Sequence, residues 1–137
     1  MRQSVTLAVV LPFAALLSAC DPIRVISVSR QIERRPDDAC VLRVLRASEH
    51  VRAAGRSSDG TLFAELVIPA DIDLPWHPDP RAPTRFVVLE SQTKEGKDEV
   101  TFRILWVAGA KGSTEYHGYV EEVLKELQTA TLDACAR

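Results

Sequence analysis

Hydrophobic and polar positions alternate along much of the chain, and the period changes at definite points. Residues 23–32, IRVISVSRQI, are rich in β-branched side chains and read as a strand or an extended tether. Pro36 then opens a helix, followed by Asp37 and Asp38, whose carboxylates suit the positive end of a helix dipole. Cys40, Val41, Val44 and Leu45 recur at helical spacing as an apolar stripe, with Arg43 and Arg46 on the opposite side. Residues 51–56 and 61–69 read as strands around Ser57-Ser58-Asp59-Gly60, a hairpin turn. Residues 84–91 and 99–108 read as a second strand pair around the loop QTKEGKD, which contains Gly96. In the last of these strands Val100, Phe102, Ile104 and Trp106 share one face, while Thr101 and Arg103 share the other.

The two hairpins are separated by ADIDLPWHPDPRAP, residues 70–83. Its prolines, Pro75, Pro78, Pro80 and Pro83, prevent regular helix or sheet. A final helix is predicted over 114–131, capped by Ser113 or Thr114, with Tyr116, Val120, Val123, Leu124 and Leu127 as its buried stripe. These elements predict an α+β fold: an antiparallel sheet of four or five strands with two helices packed on one face. The strand order is left open.

One segment stands apart from this pattern. Val5–Leu17 is an uncharged, mostly apolar run of 13 residues behind Met1 and Arg2. A membrane span needs ~20 residues, so the run is short for a span and has the length of a signal-peptide core. The ordinary signal peptidase takes small residues at the last and third-last positions before the cut, and Leu17 is a poor third-last residue for cleavage after Ala19.

The stretch Leu17-Ser18-Ala19-Cys20 instead resembles the lipobox of bacterial lipoproteins. That resemblance covers the first 20 residues only. It implies that residues 1–19 are removed, that the Cys20 thiol carries lipid, and that residues 20–137 form a single periplasm-facing domain held to the membrane through Cys20. Two or more acyl chains anchor a protein stably, whereas one holds it marginally. Asp21, directly after the cysteine, resembles the inner-membrane retention signal of enteric bacteria and favours that membrane over the outer one.

Charge and cysteine usage refine the expectation. With pI about 5.9 and few aromatic residues, nothing in the composition points to a nucleic-acid partner. Residues 20–56 carry a net +3 and residues 57–137 a net −6, so the basic part adjoins the expected anchor. An ordinary solvated helix face explains Arg43 and Arg46 better than attraction to anionic lipid. An exported chain meets an oxidising compartment, and with Cys20 acylated no odd thiol remains, so Cys40 and Cys135 are expected to form a disulfide. If the last helix continues to Cys135, that residue falls near three turns beyond Leu124 and on nearly the same face.

The search for chemistry returns little. His50, His77 and His117 lack zinc-site spacing, and there is no C-x-x-C, P-loop or G-x-S-x-G motif. No cofactor is expected. Asp71 and Asp73 read as solvated loop acids rather than a cation site. Glu49-His50 could form an acid/base pair, and a histidine at a helix end explains it equally well. In Tyr116-His117-Gly118-Tyr119, Tyr116 is expected to pack and Tyr119 to lie at the border of the core. Trp76-His77, flanked by prolines, is the candidate for binding a partner, since interface anchors are often aromatic. The leading expectation is a non-catalytic, lipid-anchored envelope module, binding or accessory, with an envelope protein as partner. The alternative is a lipid-anchored hydrolase with residues gathered from separate strands.

Overall fold

The computed structural model describes residues 23–74, 86–107 and 113–136. Five strands and two helices follow in the order β1 (Ile23–Ile32), α1 (Asp38–Ala47), β2 (Val51–Arg56), β3 (Leu62–Leu66), β4 (Phe86–Lys94), β5 (Lys97–Val107) and α2 (Ser113–Cys135). The strands form one antiparallel sheet in the order β1-β5-β4-β3-β2, an α+β fold. Residues 23–32 are therefore a strand, registered against β5 from Ile23↔Val107 to Ile32↔Asp98. The chain then crosses the whole sheet through α1, so its first two strands are the two edges.

Both helices lie on one face. α1 covers β2 and β3, α2 covers β1 and β5, and the helices pack on each other. The alternating inward positions Ile26, Leu62, Ala64, Leu66, Val87 and Leu89, with Val100, Phe102 and Ile104, meet Val41 and Leu45 of α1. The predicted α2 stripe closes this core: Tyr116, Val120, Val123, Leu124 and Leu127 are all buried. Burial of such side chains, at roughly 25 cal/mol per Å² of apolar surface, is the main drive for the fold.

The first helix begins at Asp38, two residues later than the proline suggests. Asp37 is the N-cap, its carboxylate accepting the Cys40 N–H at 3.1 Å, and Pro36 precedes it. A carboxylate that takes an orphan N–H defines the start better than a ring that merely tolerates the first turn. The second hairpin differs more. The predicted loop QTKEGKD contracts to Glu95 and Gly96, with the ladder running on through Gln92↔Glu99, Thr93↔Asp98 and Lys94↔Lys97. Both turn residues have positive φ, 53° and 77°, which matches the twist of a tight hairpin. Thr93 Oγ1 donates to Asp98 Oδ1 at 2.9 Å across the extended ladder. At the other hairpin, β3 ends at Leu66, short of the predicted residue 69, where Pro69 has no N–H for a ladder.

The alternating chain direction defines two ends of the sheet. The near end, where β1 begins, also holds the connection 48–50, the end of β3 with residues 67–74 that follow it, and the end of β5. The far end holds the connections 33–37, 57–61 and 95–96 and the C-terminus of α2. At the far end Cys40, in the first turn of α1, is joined to Cys135, the last residue of α2, with Cα atoms 5.8 Å apart.

Replacing both bridge cysteines (Cys40→Ser with Cys135→Ser) should lower stability by about 4–5 kcal/mol, as closing so long a loop does in the chain-entropy account. Denaturant unfolding of the two proteins measures this. A loss below about 1 kcal/mol would mean that packing alone holds the helices together.

Candidate functional site

One opening into the helix-covered side lies at the far end. A cleft of about 460 Å³ forms between the start of α1, the turn at 57–61 and the far halves of β4 and β5. Its floor is apolar, with Leu62, Leu89 and Phe102, and its mouth is polar, with Arg35, Asp38, Asp59 and Gln92. The turn is built from its own side chains. Asp59 Oδ1 accepts the Thr61 N–H at 2.9 Å and a bond from the Ser57 hydroxyl, while Gly60 takes φ +87°, open to glycine at little cost. The Ser57 hydroxyl and the Thr61 N–H hold the Asp59 carboxyl down to about 2. The Asp38 carboxylate faces two cations, Arg56 at 2.7 Å and Arg35 at 3.7 Å.

The acids of this mouth are thus engaged in structure. A carboxylate committed to a turn or an arginine is poorly placed to act as a general base, and the described lining holds no histidine or cysteine. Thr131 of α2, also in the lining, is fully buried, and its hydroxyl has no hydrogen-bond partner. An arrangement of apolar floor, charged mouth and one orphan hydroxyl suits binding of a small amphipathic molecule.

A second groove, about 590 Å³, runs between the end of α1 and α2 beside Arg43, Val44, Ala47, Leu127 and Ala130. Here His50 Nε2 lies 3.0 Å from Glu126 Oε2. The histidine's carboxylate partner therefore comes from α2, not from the adjacent Glu49. The His50 backbone N–H donates to Ser48 Oγ at 3.2 Å, a local turn contact. His117 lies 3.4 Å from Glu121 on the outer side of α2. Lys125, 2.6 Å away, holds the Glu121 carboxyl below its ordinary value, with His117 adding to the effect. Tyr116 is fully buried. Tyr119 is half-buried and donates to the Val67 carbonyl at 2.8 Å; burial raises its hydroxyl pKa, as do the Glu126 and Glu49 carboxylates.

Cys20, Trp76 and His77 lie outside the described residues. Asp71 and Asp73 are exposed, and among the described residues no group of three or more histidines, cysteines or acids gathers to hold a metal ion. No described helix is long and apolar enough to cross a membrane.

Two buried polar residues of α2 escaped the sequence reading. Gln128 donates from Nε2 to the carbonyls of Val28 at 2.9 Å and Val100 at 3.0 Å, and Thr131 lines the cleft. Both sit four residues beyond a stripe position, Leu124 and Leu127. Extending the stripe by helical spacing would have placed them on the buried side. No protein-family model matches the chain, and no curated protein matches it.

Two outcomes check this description. Thr131→Val keeps the side-chain shape and removes the unpaired hydroxyl, so it should leave stability unchanged or raise it by ~1 kcal/mol. Thermal melts of the free protein would show a clear loss instead if the hydroxyl had a structural partner. The depressed Asp59 carboxyl should titrate near 2 when followed by NMR. Because its folded value lies below the ordinary 3.8, its stabilising effect is complete above the ordinary value and fades as pH falls toward 2. Asp59→Asn should remove that part of the acid sensitivity.

Proposed function

We propose that this protein is a lipid-anchored module of the cell envelope, facing the periplasm, that binds a ligand or partner rather than transforming it. The observation that carries the reading is Leu17-Ser18-Ala19-Cys20 at the end of a short apolar run. Three features support it. Cys20 stands only two residues before β1, so lipid on that cysteine would tether an edge strand directly. The Cys40–Cys135 disulfide suits an oxidising compartment. The cleft opens at the far end of the sheet, away from the tether, with its carboxylates already committed to structural partners. Asp21 makes the inner membrane the favoured address. Trp76-His77, carried on the connection between β3 and β4, remains the proposed contact for an envelope protein.

Cys20→Ser tests the anchor in the native host. Serine has no thiol to accept the diacylglyceryl group, so label from a palmitate analogue should disappear and the uncleaved precursor should accumulate. Equal labelling of mutant and wild type would refute the lipobox reading.

A further inference from the structure

The sheet has two faces, and the helices cover one. On the other, outward positions of three adjacent strands change character along their length. On β1 they read Val25, Ser27, Ser29, Gln31 from the near end to the far end. On β5 they read Leu105, Arg103, Thr101, Glu99, and on β4 Phe86, Val88, Glu90, Gln92. All three series begin apolar at the near end and turn polar away from it. Val25 and Leu105 are direct partners; Phe86 stands beside Glu65 of β3 and its ring contacts Phe63 of the row behind, beside Val88, centroid to centroid at 6.0 Å. The polar rows are satisfied among themselves: Ser29 and Thr101 share a hydrogen bond at 2.7 Å, and Arg103 donates to Glu90 at 2.6 Å.

The large hydrophobic side chains that stay exposed among the described residues tell the same story. They are Val25 at 51%, Leu105 at 39%, Val67 at 45% and Leu74 at 47%. Val25 and Leu105 belong to the near end of β1 and β5, and Val67 and Leu74 to the connection that leaves β3 at that end. Scattered exposed apolar residues need no explanation, but four at one end of a sheet do.

We infer that this near end, with the apolar part of the bare face, rests on the lipid bilayer to which Cys20 is attached. The inference rests on the proposed anchor, and tether length supplies the occupant. Val25 is the fifth residue after Cys20, so their Cα atoms are at most ~17 Å apart. The headgroup zone on each side of a bilayer is ~5–8 Å deep. A domain held this closely brings its first strand to the lipid interface, and the end that arrives there is the apolar one. Gln31, on the same strand and face, stands ~20 Å further out. The contact is argued from apolar side chains rather than charge: among the described strand and connection residues at this end, Arg24 and Arg52 stand against Glu65, Asp71 and Asp73, and Arg52 lies 3.6 Å from Glu65.

Depth measurement on the full-length lipidated protein tests this. Val25→Cys, Leu105→Cys and Gln31→Cys are each given an environment-sensitive fluorophore; the disulfide and the acyl chain keep the native cysteines from reacting. The proteins are reconstituted in vesicles of phosphatidylethanolamine and phosphatidylglycerol containing lipid with a nitroxide near the headgroup. Quenching should be several-fold stronger at 25 and 105 than at 31. It should persist in high salt and at one copy per vesicle. Equal quenching at the three positions, with palmitate label still on Cys20, would overturn the seating and leave the anchor standing. Absence of palmitate label from the wild type would remove the anchor and the seating with it. Quenching that vanishes on dilution, or protection from aqueous iodide without lipid quenching, would assign the face to a second copy or another protein and overturn the inference.

Discussion

The ladder between β1 and β5 joins the start of the chain to its second half across ten residue pairs. Without it β1 would be a free tether and β5 an exposed sheet edge. The ladder aligns Ile26 with Ile104 and Val28 with Phe102, and so sets which side chains face the helices. It also presents the Val28 and Val100 carbonyls to Gln128, a buried amide with both protons used. A buried amide costs free energy unless it is paired, so this residue links the pose of α2 to the ladder beneath it. The disulfide then ties the end of α2 to the start of α1. The far end of the molecule is thus closed by a covalent bond, and its centre by packing.

Legibility in the sequence followed burial. Where one face of an element is dry, its period survives, as in the α2 stripe and the alternation of Val100, Phe102 and Ile104. Where both faces are wet, the period vanishes. Gln92, Thr93 and Lys94 are exposed and polar, so their strand looked like loop, and only the Glu95-Gly96 turn betrays it. Strand order was not legible because it depends on β1 choosing β5 over β2, a pairing between residues about seventy apart or more. The cleft was illegible for the same reason: its walls come from α1, a hairpin turn, two central strands and the end of α2. Thr131 and Gln128 were readable in principle, since helical spacing puts them on the dry side, but polar residues interrupt an apolar stripe to the eye.

The ion pairs of the surface add little to stability, since exposed pairs are each worth under ~1 kcal/mol. Their effect is on chemistry. Asp38 is committed to Arg56 and Arg35, Asp59 to its turn, and Glu121 to Lys125. The His50–Glu126 pair is the nearest approach to a catalytic couple among the described residues, yet the groove beside it is lined chiefly by aliphatic side chains and arginine. The Ser48 hydroxyl in the same groove accepts the His50 backbone N–H at 3.2 Å.

Polarity along the strands then connects the two ends. A lone sheet with one covered face ordinarily spreads polar residues over the bare face, since water meets all of it. On β1, β5 and β4 the bare face turns polar from Ser27, Arg103 and Glu90 outward, whereas on β3 Glu65 lies at the near end and Phe63 behind it. On those three strands the near positions stay apolar, although they gain nothing from the core beneath the helices. A selective reason for that division must act along the strand axis rather than through the sheet. The proposed tether would act along that axis, because β1 follows Cys20 after two residues. Seated on its near end, the domain would hold its cleft roughly one strand length, ~30 Å, above the lipid. Molecules diffusing in the periplasm could reach the cleft there, while the apolar rim stayed out of water.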